Sequence, residues 1–310
     1  MAEEAARAVR FDHYGGRDVL YVTEVPMPTP GPGEVVVAVR AAAINPGEAS
    51  IRSGALAARF PSTFPSGEGS DLAGVVTSVG DGVGEFSVGD EVLGFSWSRS
   101  SHATHVAVPT SQLIRKPPAL SWEVAGSLYV VGCTAYAAVR AIDVKEGETV
   151  AVSAAAGGVG TVVVQLLALH KAAVVGIASP DNAEWLIAHG AVQVSYGEGL
   201  AERLLAAAPN GIDAFIDLFG PEYVQLAADI GIPPDRIETI ISYEKAAEIG
   251  AKAKGSGDAS TTEVLTEMAD LVASGAIEIP IAATYPLDKV VDAFEQLEQR
   301  HTRGKIVLIP

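Results

Sequence analysis

The sequence carries one cysteine, Cys133, in 310 residues. A single thiol excludes an internal disulfide framework and any metal site built from several cysteines, and makes a cytoplasmic location the expectation. Basic charge is also scarce: 21 Lys and Arg stand against 38 Asp and Glu, a net charge of −17. That balance argues against a nucleic-acid partner, whose phosphates need clustered cations. No uninterrupted apolar stretch reaches membrane-spanning length, because Asp143, Lys145 and Glu148 break the best candidate region. The opening MAEEAARAVR contains acidic residues and has no apolar core like that of a secretion signal. Neither nucleic acid nor membrane is therefore expected as a partner.

What is present fits a globular protein with a large core: 48% hydrophobic and 19% charged residues. A chain of this length exceeds what one core usually serves, which predicts two domains. Residues 5–120 read as strands and turns, among them GEVVVAVRAAAI, DLAGVVTSVGDGV, FSVGDEVLGF and ATHVAVP, and predict a barrel-like β domain. The character changes near Ser121. From there strands alternate with helices: ETVAVSAA with GVGTVVVQLLALH, AAVVGIAS with NAEWLIAHG, VQVSYG with LAERLLAAA, then IDAFIDLFG and RIETIIS. This alternation predicts a doubly wound parallel sheet with helices on both faces, an α/β architecture. Past about Ser260 the pattern changes again and closes on the strand GKIVLIP. The expected organisation is a nucleotide-binding domain at 126–257, inserted into a β domain made from 1–125 and 258–310.

The stretch AAAGGVG at 154–160 is a variant of the glycine fingerprint of dinucleotide sites. Gly157 occupies the position where backbone approaches the pyrophosphate, and Gly160 the position where helix packs on strand. Ala155 stands at the tight-turn position, where a methyl is tolerated if φ stays negative. Gly158, Val159 and Gly160 would open the helix and offer free N–H groups to phosphate. An Ala/Gly-rich turn without a ligand is the alternative, and the strand–turn–helix–strand context favours the cofactor reading. The second strand is expected to end at Ser179, where an NAD-selective site commonly has an acid for the ribose hydroxyls. Ser179 is neutral and able to donate to a 2′-phosphate, or simply caps the helix ahead of Pro180. No Lys or Arg lies between Ser179 and Ala191, and Asp181 has the wrong sign. NADPH is the expected cofactor, with NADH as the alternative.

These segments, together with AAAINPGEASIRSG, GEGSDLAGVVTSVGDGVGEFSVGDEV, GCTAYAAV, TYPLDKVVDAFEQLE and RGKIVLIP, give the chain a family likeness over nearly its whole length. It resembles the medium-chain dehydrogenase/reductase superfamily and, within it, the zinc-free, zeta-crystallin-like quinone oxidoreductases. The resemblance implies a GroES-like β domain split around a Rossmann domain, and a homodimer. It also implies NADPH-dependent reduction of a small-molecule quinone or enone. Zinc-dependent relatives hold their metal with cysteines and a histidine. Here Asn45, Ser70 and Val130 align with those positions, and GFSWSRSSHATHV replaces the structural-zinc segment. An amide, a hydroxyl and an isopropyl group do not make a zinc site, so no zinc is expected. His102 and His105 form the one H-x-x-H and read as ordinary surface or half-buried histidines, pointing to opposite faces of a strand.

Without a metal, the protein must place the cofactor against an electrophile and stabilise oxyanion charge. By resemblance, Asn45 faces the nicotinamide and donates to a substrate carbonyl; a turn-forming Asn-Pro is the alternative. Thr134, beside Tyr136 in GCTAY, would hold the carboxamide, and the alternative is helix packing. Ser70 is the third catalytic candidate, whereas Asp71 reads as a structural acceptor for loop N–H groups. Tyr196 is placed at the adenosine ribose phosphate, or at the edge of the core. Tyrosines common in similar quinone reductases are replaced by Ser50 and Ala55–Leu56. Any aromatic wall must then come from Phe60, Phe64 or Trp97. GIPPDRIETIIS also replaces the usual glycine-rich turn before the fifth Rossmann strand. An enoyl-thioester reductase and a weakly catalytic NAD(P)H-binding sensor are the competing functions.

Overall fold

The computed structural model describes residues 5–310. It divides into two compact units. The first contains the chain up to Val130 together with Thr261–Ser274 and Ile281–Pro310; the second contains Val131–Ser260 and Gly275–Pro280.

The first unit begins with β1 (Ala5–Phe11), β2 (Tyr21–Pro26) and β3 (Glu34–Ala43). Helix α1 (Pro46–Arg52) follows, then β4 (Ser66–Gly67), β5 (Asp71–Val79), β6 (Glu91–Phe95), β7 (His105–Pro109) and β8 (Leu113–Arg115). Strand β3 is the hub, antiparallel to β5 and to β7, while β5 pairs with β6 and β6 with β8. Its alternating valines, Val35, Val37 and Val39, pack with Leu72, Val76, Val92, Val106 and Val108 into one core. This is the side-chain period of two expected of half-buried strands. Two helices close the segment, α2 (Trp122–Ala125) and α3 (Leu128–Ala141).

The change of unit falls inside α3, at Val130–Val131, instead of at the expected 125–126. The helical run simply continues through the boundary.

The second unit alternates β9 (Thr149–Val152), α4 (Gly158–Leu169), β10 (Ala173–Ile177), α5 (Ala183–Ala188) and β11 (Ala191–Val194). It continues with α6 (Leu200–Ala207), β12 (Ala214–Asp217), α7 (Pro221–Asp229), β13 (Ile237–Thr239) and α8 (Tyr243–Ile249). All five strands are parallel, in the order β11-β10-β9-β12-β13. The sequence runs outward from β9 to one edge and then returns to its other side, so the switch point lies between β9 and β12. Ala151, Val175, Ile177, Phe215 and Ile237 from the strands are buried with Leu204, Val224 and Ala227 from the helices. The late segment Gly275–Pro280 belongs to this unit as well. Gln165 of α4 holds Glu278 by both backbone groups, donating to its carbonyl at 2.9 Å and accepting its N–H at 2.8 Å.

The chain completes the first unit with α9 (Thr262–Ala273), β14 (Ile281–Pro286), α10 (Val290–Glu298) and β15 (Lys305–Ile309). Strand β15 lies parallel to β14 and antiparallel to β3, with Val307 opposite Ala43. That register carries Lys305 to the end of β3, next to Ile44 and Asn45. Among the described residues no helix is long and apolar enough to cross a membrane.

Candidate functional site

Within the first unit the candidate residues gather where β3 runs into α1. Asn45 has extended backbone and opens the helix, with Pro46 in its first turn. Glu48 reaches back to accept the Asn45 N–H at 2.8 Å and also accepts the Ser70 N–H at 2.9 Å, which ties the two candidates together. The Asn45 side-chain amide donates to Asp71 at 2.8 Å and to Glu48 at 3.2 Å, while its Oδ1 accepts from the Lys305 ammonium at 2.5 Å. Both amide N–H groups are thus engaged inside the protein. The donor expected for a substrate carbonyl is not available at Asn45, whose side chain instead joins a buried network. Asp71 accepts the Val130 N–H at 2.8 Å, as a structural acceptor should.

Lys305 was not singled out in the sequence, yet it is the cation of this cluster. It donates to the Ile44 carbonyl at 3.1 Å and lies 3.7 Å from Asp71. Burial pushes the Asp71 carboxyl up and the Lys305 ammonium down, and each partner opposes the other's shift. His102 precedes β7 and is fully buried, not the surface or half-buried histidine expected, whereas His105 is the first residue of β7 and is half-buried. Its Nε2 lies 3.2 Å from the Ala43 carbonyl, and burial lowers its pKa. Next to it, Arg52 is ion-paired with Glu68, and Arg52 also sits 4.3 Å over the Phe294 ring. Burial pushes the Glu68 carboxyl up to about 8.

The three positions aligned with zinc ligands now have defined surroundings. The Asn45 oxygen is taken by an ammonium, Val130 offers only a hydrocarbon side chain, and Ser70 keeps a hydroxyl with no hydrogen bond among the described residues. A divalent cation there would meet the charge of Lys305 and a single neutral oxygen, so this donor set does not fit zinc. An aromatic cluster lies at the end of β6. The Ser96 N–H donates to the Ser70 carbonyl, and Trp97 follows, 53% exposed. Its ring meets Phe95 edge-on at 5.6 Å, and Phe95 stacks on Tyr129 at 4.2 Å. Of the three aromatics considered from sequence, Trp97 directly follows Ser96, whose N–H bonds Ser70; Phe64 packs on Phe11 and Tyr14, and Phe60 lies under Arg59.

In the second unit the glycine turn sits at the switch point. Gly157 caps α4, and the Gly157 N–H closes the turn on the Ala154 carbonyl at 2.9 Å. The left-handed residue is Ala154, with φ of 45°, and not Ala155. Ala155 is fully buried and its N–H binds the Ile177 carbonyl at 3.1 Å. Its methyl fits because β10 has Gly176 opposite: a Cβ there would lie 3.0 Å from that of Ala155. A Cβ on Gly160 would lie 2.2 Å from the Ala154 carbonyl, so strand–helix packing demands glycine. On Gly157 the nearest atom would be 3.3 Å away, a much weaker demand. The N–H groups of Gly158, Val159 and Gly160 open α4 and have no partner within the helix. A bare glycine and a 12-residue helix N-terminus at a switch point fit a pyrophosphate.

Strand β10 ends at Ile177, two residues before the expected Ser179, because Pro180 starts a short 3₁₀ turn that Ser179 caps. The Ser179 hydroxyl accepts from Asn182 at 2.9 Å. Tyr196 stands just past β11 and is 52% exposed. Thr134 is buried on α3 in this same unit, and its neighbour Tyr136 accepts from Arg140 at 3.0 Å.

A buried carboxylate that sequence inspection passed over organises the switch point. Asp217, the last residue of β12, accepts from Ser153, Phe219 N–H and Gly220 N–H through Oδ1, and from Thr239 and Ser242 through Oδ2. The Leu218 N–H adds a bond to Ser153 at 2.7 Å. The signal was legible in principle: an acid ending an apolar strand, followed by Gly220.

Residues 31–162 match the model described as alcohol dehydrogenase GroES-like domain, and residues 189–308 the model described as zinc-binding dehydrogenase. The chain is 30% identical to the human protein named NAD(P)H oxidoreductase RTN4IP1, mitochondrial, over 96% of this chain and 87% of that protein. The solved quinone oxidoreductase from Coxiella burnetii superposes with a TM-score of 0.89 at 30% identity, covering 99% of this chain and 100% of that one. The Escherichia coli quinone oxidoreductase complexed with NADPH superposes with a TM-score of 0.82 at 26% identity, covering 98% and 100%.

Proposed function

Since this chain belongs to the quinone oxidoreductase family of the medium-chain dehydrogenases/reductases, and is an NAD(P)H-dependent oxidoreductase, we propose that it performs zinc-free, NADPH-dependent reduction of quinones or α,β-unsaturated carbonyls. The bound nicotinamide would supply the hydride. The chain's own residues supply the rest. Gly157, Gly158, Val159 and Gly160 receive the pyrophosphate, with Ala155 and Gly176 shaping the turn beneath it. Ser179 and Tyr196 attend the adenosine ribose. Thr134 holds the carboxamide.

The observation that carries the substrate class is the state of the polar groups around Asn45. Asn45, Glu48, Asp71 and Lys305 are buried and bonded to one another, which leaves the Ser70 hydroxyl as the free donor of this cluster. A single neutral hydroxyl is a weak acid. It suits acceptors whose conjugation spreads the developing charge, and it suits simple ketones poorly. Trp97 supplies an apolar face for a flat ring in place of the missing tyrosines. Buried as it is, Asn45 acts by fixing Lys305 and Asp71 beneath Ser70. A cytoplasmic homodimer completes the proposal, and light scattering showing a single chain per particle would remove the dimer.

Oxidation of NADPH and of NADH, followed with quinone, enone, enoyl-thioester and simple ketone panels, tests the reading. Turnover with quinones or enones, faster with NADPH and unaffected by a chelator, is expected. Tight cofactor binding with no turnover of any acceptor would replace it by a binding role, and preference for an enoyl thioester would move it to that substrate.

A further inference from the structure

Arg203 is the sole Lys or Arg between Lys171 and Arg236. In sequence it lies well beyond Ser179, outside the loop where a cation for a 2′-phosphate is ordinarily sought. The fold brings it back. Strands β10 and β11 run side by side with Ile177 opposite Val194, and the Ala178 N–H continues the pairing onto the Val194 carbonyl at 3.1 Å. Gln193 then ties the two strand ends, donating to the Ala178 carbonyl at 2.7 Å and to the Ser195 hydroxyl at 3.2 Å. Arg203, in the first turn of α6, holds the next residues of that same loop. Its Nε and one terminal nitrogen donate to the Ser195 carbonyl at 3.0 and 2.8 Å, and it also reaches the carbonyls of Gly197 at 3.2 Å and Glu198 at 2.6 Å.

Two features set this arginine apart from a structural clamp. Its bonds all go to neutral carbonyls, so the full positive charge is kept, and among the described residues no ion pair takes it up. Four of the five guanidinium N–H groups are used, and one on Nη1 remains. The loop is shaped to the guanidinium by Gly197 and Gly199, with φ of 103° and 74°; a Cβ on Gly199 would come within 3.2 Å of Nη1. The Glu202 carboxylate borders the same space, 3.7 Å from that Cβ, and does not ion-pair with Arg203, so the remaining N–H is left for another acceptor.

We infer that Arg203 is the specificity-determining residue for NADPH, receiving the 2′-phosphate of the adenosine ribose together with the hydroxyls of Ser179 and Tyr196. Ser179 accepts its bond from Asn182, so its own proton is free to donate. The inference rests on the proposal that the ribose lies at the ends of β10 and β11.

Calorimetric binding of 2′,5′-ADP and of 5′-AMP tests it without catalysis. The unaltered protein should bind 2′,5′-ADP about tenfold or more tighter than 5′-AMP, the gain of a charge-assisted contact. Arg203→Ala should bring the two affinities together by weakening 2′,5′-ADP alone. Arg203→Gln, which loses the charge and keeps two of the four N–H donors, should do the same with 5′-AMP affinity unchanged and a lowered melting temperature. A preference for 2′,5′-ADP that survives both substitutions overturns the inference, as does an equal loss for both nucleotides. If 5′-AMP binds but the 2′-phosphate adds nothing in the unaltered protein, Arg203 fails and the cofactor site stands. If neither nucleotide binds, the site and the inference fall together.

Discussion

Gly157 and Gly160 sit three residues apart and lack a side chain for different reasons. At Gly160 a methyl would drive into the Ala154 carbonyl at 2.2 Å, and backbone cannot yield cheaply. Gly160→Ala should therefore cost about 1–3 kcal/mol or more in stability, read by urea unfolding. At Gly157 the same methyl meets its nearest atom at 3.3 Å. Gly157→Ala should leave stability within about 1 kcal/mol and weaken nucleotide binding about tenfold. Equal losses of stability in the two variants would assign both glycines to packing. The alanine two residues before Gly157 illustrates what a motif does and does not say. Ala155 departs from the fingerprint, and the departure is absorbed by Gly176 on the neighbouring strand and by the left-handed φ of Ala154. Neither compensation is readable from AAAGGVG itself.

At the scale of elements, the ends of β9, β12 and β13 are joined through one side chain. Asp217 takes two hydroxyl bonds from the neighbouring strand ends, through Ser153 and Thr239, one more from Ser242, and two backbone N–H groups of its own loop. An asparagine has one acceptor oxygen, and its NH₂ would face donors. Asp217→Asn should cost at least about 2 kcal/mol in urea unfolding, since bonds to a charged acceptor are the expensive ones to lose. It should also weaken nucleotide binding, because the same bonds set the loop at the switch point. A neutral effect on both would show that the network only fills space. The alternation of strands and helices that built this sheet was legible from hydrophobic period alone. The ends of the elements were not: β10 stops at Ile177 because Pro180 cannot continue a ladder, and β13 keeps only Ile237–Thr239 of RIETIIS.

For the whole molecule, pH is the revealing variable. Each unit buries a glutamate: Glu68 beside Arg52 in the first, Glu238 on β13 in the second. Burial pushes both carboxyls from 4.5 up to about 8. Glu238 is the clearer case, because its Oε2 is buried without a hydrogen bond while Oε1 accepts the Lys254 N–H. A raised pKa means the folded state binds the proton more tightly than the unfolded chain. The resulting stability is complete below about 4.5 and is lost as pH rises through about 8. The melting temperature should fall between about pH 5 and about pH 8.5, and Glu238→Gln should flatten part of that slope. A Glu238→Gln slope identical to that of the unaltered protein would mean that Glu238 ionises normally in the fold.

The sequence alone determined the class of the molecule. Its hydrophobic periods of two and of about 3.6 dictate strands and helices wherever they are long, and composition bounds the partners. The glycines at 157 and 160 mark a turn whatever surrounds them, because their reasons are local. Tertiary structure decided everything that depends on residues distant in the chain. Lys305 reaches Asn45 from the last strand and takes the oxygen on which a metal-ligand role would depend, while Asp71 and Glu48 take the amide N–H groups that a donor role needs. Ser96 meets Ser70 beyond the paired ends of β5 and β6, and Arg203 returns to the end of β11 and beside that of β10 through a helix turn and a shaped loop. The charge on a side chain is written in the sequence; which oxygen it faces, and how much water is left around it, is settled by the packing.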